Sequence, residues 1–256
     1  MTDQVLTEVH DHIIIIRLNR ADKKNALTGE MYDGISDGLD RLESDSSLRA
    51  GVITGTRDCF TAGNDLADFL NGSAIDGESP VTRFLRTLPH LSKPLVAAVN
   101  GPAVGVGTTM LMHCDLVYAA PDAKFQMPFV SLGLCPEAGS SLLIPQLVGH
   151  HKAVELLMLC ETFDAQAASA MGIVNEVVEA DRYQDYAIAK ARQLAELPPV
   201  SIRNTKLLLR GANTDRLKAI MKMEEDYFAE MLQGAEAKEA FSAFLEKRLP
   251  DFSKFA

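Results

Sequence analysis

The feature that most constrains this chain is an alternation. Short β-branched runs are followed by segments of helical spacing, with polar or glycine-rich turns between them. Residues 12–18 (HIIIIRL) read as a strand, and residues 49–54 and 94–100 as buried strands. Residues 115–119, 124–127 and 173–178 read as shorter ones. Thr28 is a suitable N-cap for a helix whose apolar positions are Met31, Ile35, Leu39 and Leu42. Further helices are expected over 82–91, 151–160 and 164–171, the last stopped by Gly172. From Arg182 onward the pattern is nearly all helical, broken at Pro198–Pro199 and again at Gly211. Strands alternating with helices predict an α/β fold with parallel strands.

The chain has 256 residues, enough for one large domain, or a domain with an extension, around a sizeable core. Its net charge of −10 disfavours nucleic acid, whose affinity rests on Lys and Arg meeting phosphates. It does not disfavour a small anionic ligand. Cys59, Cys114, Cys135 and Cys160 are widely spaced and form no C-x-x-C pair, as reduced thiols of a cytoplasmic protein would be. Asp3, Glu8 and Asp11 do not suit a signal peptide, and Lys254-Phe255-Ala256 is not a peroxisomal address. No apolar run approaches the roughly 20 residues of a membrane span, so no membrane partner is expected. The histidines lack H-x-x-x-H and H-E-x-x-H spacing, so no metal is expected. A G-x-S-x-G elbow is also missing.

Residues 125–148 (FQMPFVSLGLCPEAGSSLLIPQLV) hold one carboxylate, Glu137, among Phe129, Val130, Leu132, Leu134, Cys135 and Leu142. An acid kept from water by such groups has a raised pKa, in the range useful for a general base. Pro136 suits the first position of a helix, which would put Glu137 on the first turn of a helix ending near Gly149. The alternative is a helix-entry glutamate that satisfies free backbone N–H groups. Residues 94–100 lead into Gly101–Gly107 (GPAVGVG) and an apolar segment. Strand, glycine turn and helix in sequence aim backbone N–H groups at one spot, or else serve close packing. The turn has neither the dinucleotide spacing nor the Gly-Lys-Ser/Thr of a P-loop. In residues 55–69, Ala62 and Gly63 let backbone approach a ligand, or simply form a turn. Residues 71–79 suggest a mobile loop, and Asp65 with Asp68 a solvated helix start. Leu217, Ile220, Met221, Met223, Tyr227, Phe228, Met231 and Leu232 form a wide apolar face suited to another domain or subunit.

The segments NRADKKNAL, CFTAGNDLADF, NGPAVGVG, HCDLVYA, FQMPFVSLGL and AASAMGIVNEVV together resemble the crotonase, or enoyl-CoA hydratase/isomerase, family over almost the whole length. The resemblance implies an α/β spiral of ββα units over residues 1–195. It also implies a helical C-terminal oligomerisation region over 196–256, assembled as homotrimers or hexamers. It implies an acyl-CoA thioester substrate, with coenzyme A as part of that substrate and no separate cofactor. Backbone N–H groups at the positions matching Asn64 and Val106, with Gly105 beside the second, bind the thioester oxygen in the family. Lys24, Ala26 and Leu27, and backbone at Ala62, Gly63, Asp65 and Leu66, match CoA-binding segments. Phe129, Leu132 and Leu134 would form dry walls around the acyl group.

The two glutamates of the family's hydratases match Thr109 and Phe129 here, so both acids are absent. Glu137 instead matches the catalytic glutamate of Δ3,Δ2-enoyl-CoA isomerases, and Gly63-Asn64-Asp65-Leu66 with Ser140-Ser141 resembles the peroxisomal-type isomerases. Hydration needs one group to activate water and another to deliver a proton. Moving a double bond needs only a proton taken from C2 and returned at C4, which one carboxylate can do. The resemblance therefore implies an isomerase. Its alternatives are a hydratase, an isomerase of a dienoyl- or ring-bearing thioester, and a non-catalytic acyl-CoA-binding protein.

Overall fold

Strand β2 (Ile13–Leu18) explains the architecture, because its side chains leave on two faces and both are buried. Ile14 and Ile16 enter a core shared with α1 (Gly29–Ser44), while Ile13 and Ile15 join a second cluster with α7 (Tyr183–Glu196). A strand covered on both sides is a continuous apolar run, which is the habit of parallel sheets. In the computed structural model, which describes residues 3–56, 58–67, 79–211 and 213–255, β2 lies in a six-stranded sheet. The order is β1 (Val5–His10), β2, β3 (Ala50–Thr54), β4 (Leu95–Val99), β6 (Leu116–Ala119) and β9 (Glu176–Val177). Only β1 runs antiparallel to its neighbour. A smaller sheet joins β5 (Pro102–Val104), β7 (Lys124–Gln126) and β8 (Phe163–Asp164). Asp68 and the expected mobile loop, apart from Ser79, fall outside the described residues.

The helices follow the predicted signals. Thr28 Oγ1 accepts from Met31 N at the start of α1, and Met31, Ile35, Leu39 and Leu42 are all buried. Ser79 caps α2 (Pro80–Thr87), and Asp164 caps α6 (Ala165–Ala170). The segment after the glycine turn differs from expectation. Val104 belongs to β5 and Gly105 is left-handed, so α3 spans one turn only (Val106–Thr109) before a 3₁₀ turn (Met110–His113). So short a helix offers individual N–H groups rather than a sizeable dipole.

Four helices close the chain: α7, α8 (Pro199–Gly211), α9 (Thr214–Leu232) and α10 (Ala235–Leu245). A buried polar cluster docks α8 on the sheet: Lys206 Nζ donates to Asp115 Oδ2 and to Lys93 O, each at 2.7 Å. Arg210 Nη2 donates to Asp115 Oδ1 and to His113 O, at 3.0 and 2.5 Å. The wide face of α9 divides in two. Phe228 and Leu232 are buried within the molecule, and Leu217 packs on Gly139, whereas Met223 and Tyr227 are exposed. Among the described residues no helix is long and apolar enough to cross a membrane.

The loop before α1 is anchored by Asn25, fully buried and left-handed, a conformation asparagine tolerates better than most. Its Nδ2 donates to Cys59 O at 2.8 Å and to Phe60 O and Thr56 Oγ1 at 3.1 Å, while Oδ1 accepts from Arg20 N at 2.7 Å. Asn25→Ala leaves these buried groups unpaired. A loss of about 2–4 kcal/mol of unfolding free energy is expected in denaturant titration; a change below about 1 kcal/mol contradicts this anchoring role.

Candidate active site

Two backbone segments run side by side at the centre of the molecule. Thr61 bridges Ala103 in parallel, with Thr61 N donating to Pro102 O at 2.9 Å and Val104 N to Thr61 O at 3.0 Å. Asn64 and Val106 each lie three residues beyond that bridge, so their N–H groups are carried forward in step. Among the described residues neither N–H donates to a protein acceptor. Val106 opens α3, so it has no carbonyl one turn back. Leu27 N donates to Gly63 O at 2.8 Å and Asp65 N to Leu27 O at 2.9 Å, which holds the 63–65 segment flat and leaves Asn64 N free. The Tyr32 hydroxyl donates to Asn64 Oδ1 and fixes that side chain. Gly63 is required by packing: a Cβ there would lie 2.9 Å from Val104 O, at a φ of +88°.

These N–H groups face a cavity of about 680 Å³. Of the residues expected at the site, Ala26, Ala62, Gly63, Asn64, Asp65 and Leu66 line it from one side. Gly105, Val106, Phe129, Leu132 and Leu134 line it from the other. Lys23 also lines it, whereas Lys24 and Leu27 do not. Lys24 ends a 3₁₀ turn in the left-handed conformation, and its carbonyl accepts from Ala62 N at 2.9 Å. Leu27 is buried in the core, with its backbone paired to the 63–65 segment. Asp65, at the rim, pairs with Arg20 at 2.7 Å. Phe228 and Phe241, from α9 and α10, close the cavity, so the C-terminal helices complete it.

Glu137 does not line this cavity. It lines an adjoining one of about 220 Å³, and Phe228 borders both. Nor is it on a helix. Ala138 and Gly139 are both left-handed, at φ +57° and +73°, so α4 starts only at Ser140 (Ser140–Val148). Pro136 is therefore not at its first position. The backbone N–H groups there are satisfied by a different acid, Glu224, whose oxygens accept from Gly139 N at 2.6 Å and Ser141 N at 3.0 Å. Glu137 is thus free of the capping role, and its Oε1 accepts from Thr109 Oγ1 at 2.6 Å. Thr109 stands on the one-turn helix that Val106 opens, so the partner of the acid and one of the two donors share that helix.

The electrostatics follow from burial. Glu137 is 8% exposed. Desolvation pushes its carboxyl from 4.5 up to about 7; the Thr109 hydrogen bond pulls it down and the charge of Glu224 pushes it up. Burial, and then the charge of Glu137, likewise hold the Tyr32 hydroxyl well above its ordinary value. Burial also pushes the His113 ring down to about 4, so it is neutral at pH 7 and donates from Nε2 to Ala138 O at 2.7 Å. Among the described residues no group of three or more His, Cys, Asp or Glu is placed to hold a metal. The arrangement combines two unpaired donors, a dry cleft and one acid with a pKa near neutrality. Donors of that kind can stabilise a negative oxygen, and an acid of that kind can transfer a proton at neutral pH.

Comparisons with known proteins show the family. The profile of the "Enoyl-CoA hydratase/isomerase" family matches residues 8–254, and the chain belongs to that family. It is 34% identical to the 1,2-epoxyphenylacetyl-CoA isomerase of Escherichia coli, over 99% of each chain. It is 37% identical to enoyl-CoA delta isomerase 2 of Rattus norvegicus, over 86% of this chain and 58% of the relative. A crystal structure of an enoyl-CoA hydratase/isomerase from Pseudoalteromonas atlantica superposes with a TM-score of 0.94 at 43% identity, covering 98% of this chain and all of the other. The chain is thus an enzyme of the crotonase fold.

Sequence reasoning missed Glu224, Tyr32 and His113. Glu224 left one signal, a charged residue at the helical spacing Leu217, Met221, Glu224, Phe228.

The buried acid also makes stability depend on pH. Between pH 4.5 and about 7 folded Glu137 holds a proton that the unfolded chain releases. The wild type therefore loses stability as pH rises through that window, and not beyond it. Glu137→Gln removes the titrating group, so it should be more stable than wild type at pH 8 by up to about 3 kcal/mol. The advantage should shrink as pH falls through the window. Calorimetry at several pH values reads this, and a pH-independent difference contradicts the raised pKa.

Proposed function

We propose that this enzyme is a Δ3,Δ2-enoyl-CoA isomerase, converting 3-enoyl-CoA to 2-trans-enoyl-CoA, with Glu137 as its single acid/base. The observation that carries the reading is a buried carboxyl poised near neutrality, with its Thr109 partner on the one-turn helix that Val106 opens. The thioester oxygen accepts from Asn64 N–H and Val106 N–H, and CoA lies along the Lys23, Ala26 and Ala62–Leu66 side of the larger cavity. The acyl chain passes Phe228 toward the smaller cavity, which brings C2 and C4 to the acid. Glu137 takes the C2 proton, the electron pair moves through the thioester to give a dienolate, and the negative oxygen rests on the two N–H groups. The same carboxyl then returns the proton to C4, and the double bond comes to lie between C2 and C3. In other enzymes one such donor is worth about 2.7–4 kcal/mol of barrier.

A hydratase reading has less support. Thr109 is committed to Glu137, and Phe129 is buried edge-to-face on Phe228 at 6.4 Å. Glu224, which adjoins Glu137, already accepts from three donors. An isomerase of a ring-bearing CoA thioester is the second reading, favoured by the end-to-end similarity to the Escherichia coli isomerase. No cofactor beyond the substrate's own coenzyme A belongs to this proposal. Assembly as a homotrimer or hexamer stays part of it, supported by exposed Leu207, Leu208 and Leu209 on α8, and light scattering reads it directly.

Steady-state assays with paired 2-enoyl and 3-enoyl thioesters test the proposal. Wild type should turn over the 3-enoyl substrate, and Glu137→Gln should lose at least about 10³-fold in kcat. Near wild-type turnover by the variant, or robust hydration of 2-enoyl-CoA, overturns it.

A further inference from the structure

The turn that carries Glu137 is held in an unfavourable shape. Ala138 has a Cβ and yet sits at φ +57°, next to left-handed Gly139. Such a backbone persists only where its surroundings over-determine it. Here it is gripped from two sides. From beneath, the His113 ring donates to Ala138 O, and Arg210 in turn holds His113 O. From above, α9 lies against Gly139, where a Cβ would be 2.3 Å from Leu217 Cδ1. The side chain of Glu224 reaches from α9 into the turn. Its Oε2 accepts from Gly139 N at 2.6 Å, and its Oε1 from Ser141 N at 3.0 Å and Ser141 Oγ at 2.5 Å. Cys135 Sγ contacts Glu224 O at 3.7 Å, so residues on both sides of Glu137 meet this helix. Glu224 is itself buried, and among the described residues no cation pairs with it. Two buried acids thus share one wall of the smaller cavity.

We propose that Glu224 is a positioning residue for Glu137: it clamps the strained 138–139 turn so that the acid faces Thr109, and its negative charge strengthens the acid as a proton acceptor. This rests on the reading of Glu137 as the base. Two like charges in an apolar site each make ionisation of the other harder, in either direction by the same amount. The other groups that interact with Glu137 are Tyr32 on α1, Thr109 on α3 and Cys135 on the same loop, while His113, on the 3₁₀ turn after α3, meets the neighbouring Ala138 O. Farther out, Lys218, Lys222 and Glu225 of α9 line the cavity with Arg86 and His90. Arg86 is paired to Glu225 at 3.1 Å and Lys222 to Asp226 at 2.5 Å.

Glu224→Gln removes the charge and keeps the shape. An amide still accepts through its oxygen, but its NH₂ meets a backbone N–H and cannot. The acid limb of kcat/KM for 3-enoyl-CoA should move down by about 0.5–1 pH unit, and kcat on the plateau should fall by about tenfold or more. A fall in kcat with an unmoved limb reduces Glu224 to a structural cap and overturns the proposal, as does no change in either. Calorimetry separates this from the isomerase reading, because it needs no substrate. The pH window in which Glu137→Gln gains stability over its parent should move down in the Glu224→Gln background. An unmoved window overturns the proposal whatever the substrate proves to be. If Glu224→Gln does not fold, the coupling is read from the other side. In Glu137→Gln, carbon-13 resonances should show the Glu224 carboxyl titrating at lower pH than in wild type, and an unmoved titration again overturns the proposal.

Discussion

The structure depends on an unfavourable burial, that of the Glu137 carboxyl, with which no cation pairs among the described residues. Glu137 is buried, shares its small cavity with Ala138 and Phe228, and receives one neutral hydrogen bond, from Thr109. An acid in that state either keeps its proton or pays for losing it. Its pKa therefore rises toward 7, where both forms are accessible at ordinary pH. A group that must take a proton from one carbon and hand it to another needs both forms. The same burial that costs stability thus supplies the proposed reactivity.

Everything else arranges backbone around that acid. The Thr61–Ala103 bridge brings two chain segments into parallel register, and each then presents an N–H that no carbonyl uses among the described residues. Neither donor depends on its own side chain, so residues as different chemically as Asn64 and Val106 can share the proposed role. The clamps come from the C-terminal helices. α8 reaches the Glu137 turn through Arg210 and His113, and α9 reaches it through Glu224. The helices that follow the sheet therefore hold the Glu137 turn as well as covering the sheet.

Much of this was legible in the chain. The isoleucine run of β2 and the Thr28-capped helix were visible because their signals are local periodicity and local capping. The lone acid at position 137 was visible because it is the one charge in a mostly apolar stretch, although its partners Thr109, Tyr32 and Glu224 come from elsewhere in the chain. Strand β1 (VLTEVH) escaped, since exposed polar residues interrupt its apolar ones at the sheet edge. The start of α4 was misplaced because nothing local reveals that Ala138 adopts a positive φ; distant His113 and Glu224 impose it. The capping role weighed for Glu137 was real but belonged to Glu224 from another helix. Long-range pairing of that kind is written in the fold rather than in any window of sequence.

The central claim is that one carboxyl carries one proton across the allylic system. A single-turnover experiment on 3-enoyl-CoA bearing deuterium at C2, run in ordinary water, tests it most directly. A buried acid that takes the label and returns it before solvent exchange gives 2-enoyl-CoA with deuterium at C4 in a measurable fraction of molecules. Product that has lost deuterium from C2 and carries none at C4 would contradict the account, since the proton removed and the proton delivered would then have come through different groups.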